Sequence, residues 1–163
     1  MMKKKLQKLL KNQKGLTLVE LLAVVVILGI IAAIAVPSIA NIIDNSKKDA
    51  HVANAEQMIG AARLAVAAND KALWADSGNN ANDGGKITME ELVTAGYLES
   101  NIEDPDSESD YGTAYVTIAV SATSNTAAKK VSYTVTLKGS ERGINNSAPS
   151  ALDRDAVKTE YAN

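Results

Sequence analysis

One carboxylate stands out by its surroundings. Glu20 sits within Leu16–Val36, a stretch otherwise interrupted only by Thr17. An unpaired charge in such a run costs ~2.5–3.5 kcal/mol on membrane-insertion scales, so a Glu there is expected to have a cationic partner and a function. The bland alternative places it at the headgroup boundary, where the cost is small. A second group is the alternation Asp104, Asp106, Glu108 and Asp110. Oxygen ligands at that spacing resemble a calcium loop, but the glycine of an EF-hand turn is missing, and a solvated acidic loop with no metal is the preferred reading. His51, the only histidine, follows Lys47, Lys48 and Asp49 on what reads as a polar helix face, and is expected to be a solvated surface residue. Asn145-Asn146-Ser147 matches the short glycan-acceptor triplet, and Gly84-Gly85-Lys86 lacks the rest of a phosphate loop. No nucleophile–base–orienter set is visible, so neither enzyme activity nor a cofactor is expected.

The elements that must position these residues begin with charge. Lys3, Lys4, Lys5, Lys8, Lys11 and Lys14 precede Gly15, and no acid accompanies them. The chain after Gly15 keeps 11 basic residues against 19 acids, a formal −8, which disfavours direct nucleic-acid binding. The run LLAVVVILGIIAAIAV over 21–36, extended back to Leu16, matches the ~20 residues that span a bilayer core of ~30 Å. Six lysines before it keep that end cytoplasmic and send the rest outward. There are no cysteines, so an exported domain would be held by packing alone.

Beyond Pro37 the periodicity becomes helical. Val52, Ala55, Ile59, Ala62 and Val66 recur at three- and four-residue steps, with Met58 and Ala65 beside them. One helix from about Leu16 to about Ala72 would be roughly 85 Å long, with Pro37 as a possible bend. A Gly/Asn/Asp loop is expected over 76–86, then a short helix opened by the capping box Thr88–Glu91 and stopped at Gly96. Alternation over Tyr115–Val120 and Val131–Leu137 predicts two strands joined by a long loop, SATSNTAAKK. Ala156-Val157 suits a short edge strand. The fold class expected is α+β, a long N-terminal helix, first transmembrane and then amphipathic, on a small antiparallel sheet.

The stretch Lys14-Gly15-Leu16-Thr17-Leu18-Val19-Glu20, followed by the apolar run, resembles the processing site of type IV prepilins. The resemblance covers residues 14–43, and Leu16 replaces the Phe usual after the glycine. It implies a leader over 1–15, a transmembrane and assembly helix over 16–43, and an extracellular domain over 44–163. It implies cleavage after Gly15 by a prepilin peptidase on the cytoplasmic side, and N-methylation of Leu16. The new amine would lie about one turn from Glu20 in its own helix, or reach the Glu20 of a neighbour in a staggered stack. Gly29 and Pro37 match positions where pilin helices loosen inside the filament. The implied partners are further copies of the same chain in a helical polymer, the peptidase, the pilus assembly platform, and the membrane before assembly. The implied location is the cytoplasmic or inner membrane as precursor, then an extracellular surface pilus for adhesion, aggregation or twitching. The missing C-terminal cysteine pair resembles Gram-positive members. Two alternatives stay open: a pseudopilin of a secretion or DNA-uptake apparatus, and a secreted soluble binding domain cut near Ala35 by an ordinary signal peptidase.

Overall fold

The computed structural model describes residues 2–70, 85–107, 109–121 and 130–162, and of residues 2–16 and 121 the backbone alone. Helix α1 is Met2–Ala67 and runs unbroken through Gly29 and Pro37. Chain contacts divide the protein into two units, Met1–Asp44 and Asn45–Asn163.

In the first unit, α1 is long and apolar enough to cross a membrane. Its large side chains from Leu18 to Ile43 are 52–73% exposed, and they point in every direction around the helix. A soluble core helix would bury one stripe; this segment buries none, and lacks the polar face water would require.

The second unit is an α+β domain. Its sheet is antiparallel, in the order β1 (Gly85–Thr88), β2 (Thr113–Ser121), β3 (Lys130–Lys138), β4 (Gly143–Ser147). Strands β2 and β3 pair along their whole length, from Thr113↔Lys138 to Ser121↔Lys130. That register puts Val116, Ile118, Val135 and Leu137 on one face, all fully buried or nearly so. Ala55, Met58, Ile59, Ala62 and Ala65 of α1 join them in one core with Ile87, Leu92 and Ile144. Helix and strands both follow the expected periodicities, but the centre of packing is shifted. Val52, Val66, Val131 and Tyr133 are only partly buried, while Leu137 and Ile144 are fully enclosed.

Helix α2 (Met89–Thr94) forms as its punctuation predicts. The Thr88 N–H donates to Glu91 Oε2 at 2.8 Å, and the Glu91 N–H donates back to Thr88 Oγ1. Gly96 stops it at φ +80°, a left-handed conformation that glycine adopts without steric cost. Two strands depart from the sequence reading. Gly85 and Lys86 belong to β1, not to the loop expected over 76–86, the remainder of which lies outside the described residues. The outer strand on the other side is β4; Ala156 ends a 3-10 turn instead, and Lys158 bridges to Gly143. The long loop between β2 and β3 also lies outside the described residues, as does Trp74.

Ile59 is 2% exposed at the centre of this core. Ile59→Asp places a charge there with no partner and is expected to destabilise the second unit by ~3–5 kcal/mol. Thermal melting of a fragment starting at Ser46 measures it; an unchanged midpoint would reassign the buried face.

Candidate functional site

The residues of the N-terminal motif all lie on α1. Gly15 and Leu16 fall within its helical backbone, and Glu20 is exposed one turn beyond. From Leu18 onward the side chains around Glu20 are apolar and have nothing to pack against within their own unit. The segment is therefore chemically incomplete as a single chain in water. It needs a surrounding of hydrocarbon or of other apolar helices.

Residues 10–36 match a protein family described as the prokaryotic N-terminal methylation motif. The chain carries a methylation-type precursor signal. This motif is the class III signal peptide of type IV pilins, and it spans only this N-terminal stretch of the chain. Its range encloses Gly15, Leu16, Glu20 and Gly29, and it ends one residue before Pro37. A motif of this kind, joined to a long apolar helix, suits a precursor anchored in the membrane. No curated protein and no solved structure matches the chain.

The second unit holds a polar cluster that sequence reasoning misplaced. His51 is not a surface residue; it is fully buried, and so is most of Asp104. His51 Nδ1 lies 2.7 Å from the Tyr111 hydroxyl, and Nε2 lies 3.0 Å from Asp106 Oδ2. Asn54 Nδ2 donates to the same tyrosine oxygen at 3.2 Å. One proton arrangement satisfies this chain. Asn54 donates to Tyr111, Tyr111 donates to His51 Nδ1, and a His51 proton on Nε2 goes to Asp106. A signal for burial was present in the sequence. His51 stands four residues before Ala55 and seven before Met58, on the same helical stripe. Its neighbours Lys47 and Lys48 obscured that stripe.

The acidic loop is likewise turned inward. Asp104 Oδ2 accepts from the Ser140 N–H at 2.7 Å, from the Ser140 hydroxyl at 2.8 Å and from the Ser107 hydroxyl at 3.2 Å. Its Oδ1 accepts from the Asp106 N–H at 3.0 Å. Burial by itself raises the pKa of this carboxyl, but these donors outweigh it and hold Asp104 below the ordinary carboxylate value. Burial also pushes the Tyr111 hydroxyl well above its usual range, against the Asn54 hydrogen bond and with help from the charges of Asp104 and Asp106. Asp106 meets Arg142 Nε at 2.7 Å and Lys47 Nζ at 3.4 Å. The arginine contact is a close charge pair whose N–H is not aimed along the line to the oxygen.

This arrangement bears on the calcium reading of Asp104, Asp106, Glu108 and Asp110. His51, Asp104 and Asp106 bring three ligand-type atoms within 4.8 Å of one another. Lys47 and Arg142 already pair with Asp106, and Asp104 has hydrogen-bond donors on both oxygens. Asp110 is engaged elsewhere, accepting from Asn101 Nδ2 at 2.8 Å, and Glu108 lies outside the described residues. The donor set describes an internal clamp between α1, the 103–110 loop and the β3–β4 turn. Gly139 makes room for it, since a Cβ there would stand 2.8 Å from Asp104 Oδ2 and 2.7 Å from the Arg142 carbonyl oxygen. Asn145 of the glycan triplet is exposed on β4.

Proposed function

We propose that the chain is a type IV pilin subunit, cut after Gly15, N-methylated on Leu16 and polymerised through α1 into a surface filament for adhesion, aggregation or twitching. The observation that carries this reading is the methylation motif over 10–36 sitting on a helix whose apolar side chains are exposed on all sides. Residues 1–15 act as the leader, 16–43 as the membrane and assembly helix, and 44–163 as the exported domain. Before assembly the apolar helix rests in the cytoplasmic or inner membrane. Afterwards it packs against the same helix of other copies, and Gly29 and Pro37 are where it loosens. The amine on Leu16 pairs with a neighbour's Glu20. The partners are further copies of the chain, a prepilin peptidase and the assembly platform. The role is structural, without catalysis or cofactor.

Mass spectrometry of the mature N-terminus tests this. The expected result is a chain beginning with methylated Leu16 in the wild type. Gly15→Val is expected to leave full-length precursor, because a peptidase cleft reading the backbone at this position has no room for a branched side chain. An N-terminus at Val36 or Pro37 would instead identify a secreted domain.

A further inference from the structure

The lysines ahead of Gly15 are usually sufficient as a topology signal by number alone. Their arrangement here goes further. Helix α1 already includes Met2–Gly15. At about 100° per residue, Met2, Leu6, Leu9 and Leu10 fall on one face of that helix, at the spacing i, i+4, i+7, i+8. Lys4, Lys8 and Lys11 fall on the other, flanked by Lys3 and Lys14 on one side and by Lys5 on the other, with Gln13 the one polar residue within the apolar arc. A topology signal needs the charges but not this segregation, nor three leucines among them. A basic face opposite an apolar one is the pattern of a helix that lies in a membrane interface.

We propose that the uncut leader lies along the cytoplasmic membrane surface as an amphipathic helix, its lysine face on anionic lipid headgroups. The occupant follows from two features. Six lysines with no acid among them complement a negative surface, each contributing while within reach of the headgroups. The leader is also continuous with the apolar segment starting at Leu16, so it emerges at the bilayer boundary. Continuing straight on into water would leave the leucine face uncovered. Gly15 is helical in this structure, and as a weak helix former it is the point at which the leader would have to bend to lie on the surface. This places Gly15 at the boundary between a surface helix and a spanning helix, and cleavage there releases the surface anchor. The inference rests on the proposed membrane insertion of the segment after Gly15.

The chain has no cysteine, so single introduced cysteines carry a nitroxide label without interference. The full-length precursor is labelled in turn at Leu9→Cys on the apolar face, Gln7→Cys on the lysine face, and Ile27→Cys as a control for insertion. It is placed in phosphatidylglycerol-containing vesicles and in pure phosphatidylcholine vesicles. The expected result is a severalfold higher ratio of oxygen to nickel-chelate accessibility at 9 than at 7 in the anionic vesicles, lost in the neutral ones. Adding Lys4→Gln, Lys8→Gln and Lys11→Gln together is expected to remove the contrast while Ile27→Cys stays in lipid. Equal, water-like accessibility at 7 and 9 with Ile27→Cys in lipid would overturn the leader inference alone. A contrast that persists unchanged in neutral vesicles would overturn the assignment to anionic lipid. Water-like accessibility at Ile27→Cys would sink the membrane reading, and this inference with it.

Discussion

Glu20→Ala subunits are expected to be cut and methylated normally, yet to be missing from sheared filaments. On the proposed processing, Glu20 lies four residues from the amine that cleavage would create at Leu16, on a helix that is apolar on every side. Among packed helices the effective dielectric is low, so a matched pair of charges gains and an unmatched one keeps its desolvation cost. If the pair forms as proposed, removing the carboxylate would leave each amine facing an apolar neighbour. Glu20 lies in the first unit, and the second unit, which begins at Asn45, is expected to melt as the wild type does. The measurement compares subunit in the sheared fraction with subunit in whole cells. Wild-type filament yield at unchanged subunit levels would return Glu20 to the headgroup boundary as a bystander.

Asp104→Asn is expected to be the most damaging conservative change in the second unit. The substitution keeps shape and size but turns one acceptor oxygen into a donor group. The Ser140 N–H, the Ser140 hydroxyl and the Ser107 hydroxyl then compete for fewer acceptors in a buried place. Leaving such donors unmatched suggests a loss of ~3 kcal/mol at neutral pH. The pH dependence has a definite sign. The folded pKa of Asp104 lies below its unfolded value of about 3.9, so its contribution is complete above that value. It is lost as pH falls through the folded pKa. The gap in melting temperature between wild type and Asp104→Asn should therefore hold from neutrality to about pH 5 and close below pH 4. A gap that stays constant into acid would mean that the carboxylate charge is not what holds the β3–β4 turn.

What was legible in the sequence was whatever rests on local chemistry or on a repeating period. The apolar run, the Gly15–Glu20 spacing, the Thr88–Glu91 capping box, the Gly96 stop and the alternation in β2 and β3 all depend on residues near one another in the chain. The capping box, the Gly96 stop and the strand alternation kept their places in the structure, and the apolar run is a single exposed helical segment. Strands β1 and β4 were not legible, because Gly-Lys-Ile-Thr and Gly-Ile-Asn-Asn-Ser carry little alternation of their own. They are strands because β2 and β3 offer them ladder partners, Gly85↔Ile118 on one side and Leu137↔Ile144 on the other. His51 shows the same division at a single residue. Its helical period was readable, but its partners Tyr111 and Asp106 lie 60 and 55 residues away. Only the folded domain brings a lone histidine, two loop aspartates, Arg142 and the Ser140 turn to one place, and burial there turned an apparently solvated acidic loop into a clamp. The sequence by itself determined that the chain carries a precursor signal ahead of an apolar helix. Tertiary structure decided which charges face inward, because a buried carboxylate persists only where distant donors converge on it.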